Sequence, residues 1–199
     1  PTKDLCHVML EDSAHIQQVD TEEINKERIV SNKRAVRPLY RKSDVRKTME
    51  HFVDVPYGRD IEILDGVSFH FTDTGHILGS AAINLQIQED PEEQEEPVKL
   101  TFTGDVGRPG DKILCSPEPF RQADAVITES TYGVKQHSKP EELDQKLENE
   151  VWEACENQGG KLLIPAFSLD RTQDIVYILN NLYQQGRLPN VKVFVDSPL

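Results

Sequence analysis

Three places in the sequence set a side chain able to bind a cation or move a proton beside residues that let the backbone turn sharply. In Asp73-Thr74-Gly75-His76-Ile77-Leu78-Gly79-Ser80 a histidine stands between two glycines, where the chain can bend and approach a site closely. Its imidazole can ligate a metal there, although a loop histidine also serves as an ordinary hydrogen-bonded structural residue. Asp105, in Phe102-Thr103-Gly104-Asp105-Val106-Gly107-Arg108, could bridge two divalent cations about 3.5–4 Å apart, as in two-metal phosphodiester hydrolases. It could equally close an Asx turn or cap a helix. Glu129 ends an apolar run in Ile127-Thr128-Glu129-Ser130-Thr131-Tyr132-Gly133. A carboxylate at such a tip is costly without a partner, so it either works with a second functional group or caps the next turn. A His, an Asp and a Glu at three strand ends, in a chain that otherwise keeps its polar residues on surfaces, together support a shared site far better than any one of them does.

The elements that must position them follow from periodicity. Residues 60–64, 67–72, 81–87 and 98–103 are short β-branched or alternating runs, expected to form a mostly antiparallel sheet with a hairpin turn at Asp65-Gly66. A strand over 124–128 leads to Glu129. Upstream, apolar residues at irregular helical spacing predict one or two surface helices over 3–29. A short helix is expected over 43–52, with Ser43 as N-cap and Asp44 in its first turn. Downstream, Ser138-Lys139-Pro140-Glu141 reads as a capping box opening a helix with Leu143, Leu147 and Val151 on one face. A strand at 161–164, a helix from Ser168 to about 185 and a strand at 191–195 then form a βαβ unit with parallel pairing. Ser168 and Arg171 would open that helix, where N–H groups and the dipole favour an anion; they are candidate contacts for a phosphate, or else a plain N-cap and a surface arginine.

His70 shares a strand face with Ser68 and Thr72, so a solvent-facing or hydrogen-bonded role is expected. His7, His15, His51 and His137 lack companions at ligand spacing.

Composition limits the classes available. The 199 residues carry 22 Lys+Arg against 35 Asp+Glu, a formal charge of -13, which is the wrong sign for a module that grips nucleic acid by neutralising phosphates. A nuclease stays open, because bound cations can supply local positive charge. The acidic run Glu89, Asp90, Glu92, Glu93, Glu95 and Glu96 reads as a solvated hairpin tip. Cys6, Cys115 and Cys155 are odd in number and widely spaced, which fits a reducing, cytoplasmic compartment. Neither a membrane span nor a secretion leader is expected.

Taken in order, Thr74 to Ser80, Phe102 to Asp105, Thr128 to Gly133, Ile164-Pro165-Ala166-Phe167-Ser168 through Arg171-Thr172-Gln173, and Val195-Asp196-Ser197-Pro198-Leu199 resemble the motifs of the β-CASP branch of the metallo-β-lactamase superfamily. The resemblance runs from end to end of the chain. It implies an α/β fold: a partial αββα metallo-β-lactamase sandwich over 1–133, then the first part of an inserted parallel α/β β-CASP domain over 134–199. It also implies hydrolysis of single-stranded RNA at a site of two Zn2+ ions. His76 and Asp105 would be metal ligands, with Asp105 bridging, and Glu129 would orient a histidine that protonates the leaving oxygen; Asp105 and Glu129 are the candidate catalytic residues. Implied partners are single-stranded RNA and either a second copy of the chain or the subunits of a processing complex.

The chain departs from the family pattern as well. A His-x-His-x-Asp-His metal motif is missing, and the family's two late histidines would fall beyond Leu199. Pro1 in place of a start Met agrees with a truncated piece. The expectation is therefore weak zinc binding and no RNA cleavage by this chain alone. Two rival readings are a non-catalytic scaffold subunit and a hydrolase of small thioesters or lactams. The second should lack the Glu-Ser-Thr-Tyr-Gly signature, which is present here.

Overall fold

The computed structural model describes residues 1–88, 96–135 and 140–196. Most of the acidic run, His137, the capping-box residues Ser138 and Lys139, and Ser197-Pro198-Leu199 lie outside the described residues. The chain divides into two compact units, Pro1–Val55 and a second beginning at Pro56.

In the first unit, Thr2–Val30 form a single helix, α1. No Gly or Pro interrupts it, and Asp4 and Arg28 lie at the ends where each suits the dipole. Asn32, with φ of 54°, ends it, and the Lys33 amide returns to the Arg28 carbonyl at 2.8 Å. The side chain of Asn25 then clasps the backbone of Val36 twice, at 2.8 and 2.9 Å. Helix α2, Lys42–Met49, packs on α1 through buried Val45 and Ala14. Its N-cap is Arg41 and not Ser43. The reason is Asp44, whose carboxylate accepts the Arg41 amide at 2.9 Å and fixes the N-cap two residues earlier.

The second unit holds a five-stranded sheet in sequence order: β1 Asp60–Leu64, β2 Val67–Asp73, β3 Ala81–Ile87, β4 Val98–Phe102 and β5 Ala125–Ile127. The first four pair antiparallel, and β4 and β5 run parallel. Gly66 makes the β1–β2 turn with φ of 70°, and a Cβ there would stand 2.2 Å from the Gln88 carbonyl oxygen.

Burial of the sheet overturns the expectation that His70 could face solvent. His70, Thr72, Asn84 and Thr101 are all buried. Asn84 donates to the His70 carbonyl at 3.1 Å and to Thr72 Oγ1 at 2.9 Å, and accepts from Thr101 Oγ1 at 3.0 Å. The ladder satisfies Thr72, Asn84 and Thr101 on this covered polar face, while the His70 Nδ1 atom is buried without a hydrogen bond, 3.5 Å from the Asp60 carboxylate. Ile83 and Phe102, on the opposite face, are partly open.

Beyond β5, helix α3 (Pro140–Val151) continues into a π-helical turn at Trp152–Asn157 and packs on α4 (Arg171–Gln184). Val151, Leu179 and Leu182 are the buried apolar residues of this pair. Glu148 on α3 receives Arg187 from beyond α4. The strands expected at 161–164 and 191–195 do not form: both segments are irregular, and Leu163 and Phe194 are exposed. A parallel strand is stable only when a neighbour meets its N–H and C=O groups, and these two segments find no such ladder among the described residues. Ser168 also fails to cap a helix, because Ser168–Asp170 form a turn and α4 starts at Arg171.

Candidate functional site

The three strand-end residues lie at one corner of the sheet. His76 sits in the β2–β3 turn, Asp105 just past β4, and Glu129 just past β5. His76 Nε2 is 3.6 Å from Asp105 Oδ2. The Glu129 Oε1 atom accepts the amide of Val106, next to Asp105, at 3.0 Å. That bond holds the Glu129 carboxyl below the usual glutamate range, helped by the Thr131 hydroxyl and the nearby His76. Glu129 lies at the exposed tip of β5, where solvent also favours its ionised form.

The turns explain why these groups meet. The Asp73 carboxylate accepts the Gly75 amide at 2.8 Å, and Ser80 Oγ accepts the amides of His76 and Ile77 at 3.0 and 3.3 Å. Tyr57 donates to the Ser80 carbonyl at 2.8 Å. The loop after β4 is drawn onto this turn by the Gly107 amide, which donates to the Thr74 carbonyl at 2.9 Å. Only glycine fits at 107, since a Cβ would lie 1.9 Å from the Gly75 carbonyl oxygen. Between β4 and β5, Thr103 donates to Thr128 Oγ1 at 3.0 Å, tying the two strand ends that carry Asp105 and Glu129. The glycines at 75 and 107 were visible in the sequence as flexible points. Their contact with one another was not, because it joins two turns distant in the chain.

A metal would find part of its coordination shell here. Two ligands on one zinc, with bonds of about 2.0–2.2 Å, can stand as far apart as the His76 and Asp105 donor atoms do. Among the described residues, no group of three His, Cys, Asp or Glu is placed to complete such a shell. The pair fits as two ligands of a larger set. Cys6, Cys115 and Cys155 are free.

The start of α4 carries its own charged group. Arg171 Nη1 lies 3.5 Å from the Asp174 carboxylate, and the Ser168 carbonyl accepts Gln173 Nε2 at 3.0 Å. Burial raises the affinity of both Asp170 and Asp174 for a proton, with Asp111 adding to each. Asp170 also feels His76. The acidic surroundings of α4 were not read from the sequence, where Asp111, Asp170 and Asp174 look like separate surface residues.

A small mixed sheet with histidine and carboxylates gathered at its strand ends is an arrangement of the metallo-β-lactamase type. No family model matches the chain. Relatives are nonetheless clear. The chain is 33% identical over 163 residues to an RNase J-like protein of Methanocaldococcus jannaschii, covering 80% of this chain and 37% of the relative. It is 30% identical over 200 aligned residues to cleavage and polyadenylation specificity factor 73 of Drosophila melanogaster, 100% of this chain and 26% of the relative. It is also 33% identical over 163 residues to a ribonuclease of Thermus thermophilus, 81% of this chain and 35% of the relative. The chain thus belongs to the β-CASP metallo-β-lactamase family, and it spans only about a quarter to just over a third of the length of these relatives. No described helix is long and apolar enough to cross a membrane.

Proposed function

We propose that the protein to which these residues belong is a zinc-dependent ribonuclease that hydrolyses single-stranded RNA. The observation that carries the reading is the meeting of His76, Asp105 and Glu129 at one sheet corner, in a chain whose relatives are named ribonucleases and RNA cleavage factors. Residues 1–133 would form the metallo-β-lactamase part and 134–199 the start of the β-CASP part. His76 and Asp105 would hold two zinc ions together with ligands from elsewhere in the protein. Zinc there would supply Lewis-acid stabilisation of the charge that grows on the phosphodiester. Ionised Glu129 would orient the histidine that protonates the leaving oxygen. Arg171, the first residue of α4, would contact an RNA phosphate through its planar guanidinium. The partners would be RNA and either a second copy or the subunits of a processing complex, in the cytoplasm.

The test is to incubate the full-length protein with zinc and three substrates: single-stranded RNA, duplex RNA and a chromogenic lactam. Cleavage of the single strand alone, abolished by a chelator, is the expected result. RNA binding without cleavage under any divalent metal would favour the scaffold reading, and lactam turnover would overturn both.

A further inference from the structure

The turn that carries His76 between β2 and β3 has two glycines at positive φ, Gly75 at 58° and Gly79 at 87°, so its backbone keeps one course only where something ties it down. Ser80 supplies much of that restraint. Its hydroxyl accepts the amides of His76 and Ile77 at 3.0 and 3.3 Å, and its own amide donates to the Ile77 carbonyl at 3.0 Å. Its carbonyl takes the Thr74 amide only at 3.5 Å, the outer limit of a hydrogen bond, whereas the Tyr57 hydroxyl reaches the same oxygen at 2.8 Å. Tyr57 comes from outside the turn, 23 residues before Ser80. Its place is set by the next residue, Gly58, whose amide donates to the Phe71 carbonyl of β2 at 3.2 Å. The phenol is half-buried. Burial first, then Asp73, Glu118 and Cys115, raise its pKa above the ordinary tyrosine value, so it stays a donor at neutral pH.

We propose that Tyr57 is a positioning residue for the metal site: through its hydrogen bond to Ser80 it holds the His76 turn on the course that keeps the imidazole within reach of Asp105. The proposal rests on the zinc reading above. His76 Nε2 lies 3.6 Å from Asp105 Oδ2, and a metal–donor bond tolerates only about 0.2 Å of error. A glycine-flanked turn released at Ser80 lets the imidazole wander by more than that. The effect runs from the Tyr57 hydroxyl to the Ser80 carbonyl, and from the Ser80 hydroxyl to the His76 amide. Loss of the tyrosine hydroxyl therefore weakens metal binding without removing a ligand, as supporting groups around a metal site do.

The experiment uses the full-length protein. Zinc affinity is measured by competition with a chromophoric chelator, cobalt(II) absorption reports the ligand geometry, and hydrogen exchange of the His76 and Ile77 amides is followed in the metal-free protein. Y57F removes one hydroxyl and keeps the ring with its packing, so the fold is retained. It should weaken zinc binding about fivefold, the scale of one lost hydrogen bond, shift the cobalt bands and speed exchange of both amides. S80A should weaken zinc binding about tenfold. Adding Y57F to S80A should cost nothing further, because the tyrosine acts on His76 through that serine. Parental zinc affinity, cobalt bands or amide exchange in Y57F would each overturn the proposal. Additive losses in the double variant would overturn it too, since the tyrosine would then act by another route. A parent protein that binds no zinc overturns the zinc reading and the positioning role together, whereas tight zinc binding indifferent to Tyr57 overturns the positioning role alone.

Discussion

Glu129 owes its low proton affinity first to a backbone amide, the N–H of Val106, and only secondarily to its charged surroundings. Its folded value lies below the ordinary glutamate value, so the stabilisation it brings is full above the unfolded value and is lost as pH falls through the folded one. A carboxyl titration followed by NMR on the metal-free protein should place the Glu129 midpoint below that of a free glutamate, and the Val106 amide should shift with the same midpoint. A Val106 amide that ignores this titration would remove the bond as the cause. At this scale the sequence was informative about residue type and place: His76, Asp105 and Glu129 stand where glycines and strand ends put them. What it could not show is the company they keep. Val106, Ser80 and Thr131 act on the site through amides and hydroxyls, and such groups carry no distinctive signature in a sequence.

Among the elements, the two glycine-bearing turns set the site and the polar ladder of the sheet supports it. Gly107→Ala should destabilise the protein by about 2–3 kcal/mol, because its Cβ would stand 1.9 Å from one backbone oxygen and 2.8 Å from the His76 amide nitrogen. Thermal unfolding would measure this; an unchanged melting temperature would mean that the two turns are not locked together. Asn84→Ala should cost about 2–3 kcal/mol, since it strips partners from buried Thr72, Thr101 and the His70 carbonyl. Denaturant unfolding gives the value. Alternation gave away strands β1 to β4 nearly to the residue, because each pairs with a close neighbour in the chain. The same reasoning failed at 161–164 and 191–195. An apolar run can only propose a strand, and whether it becomes one depends on a partner that local sequence does not contain. It failed on the buried face of β2 for a related reason: polar residues at His70 and Thr72 look solvent-facing until Asn84 and Thr101 arrive opposite them.

At the scale of the whole molecule, these 199 residues would supply two of the donors of the proposed two-zinc site. The isolated chain is therefore expected to bind zinc weakly and to leave single-stranded RNA uncut, which a cleavage assay on that chain would check; metal-dependent cutting by it would show that the ligand set is smaller than proposed. The family was legible from five motifs in order, and the relatives bear it out. The most direct measurement determines zinc per chain and the rate of RNA cleavage for the full-length protein and its His76→Ala, Asp105→Asn and Glu129→Gln variants. All three should lower the rate by at least about 100-fold, with zinc lost from the first two and retained in Glu129→Gln. Parental rates and full zinc in the His76 and Asp105 variants would contradict the shared site.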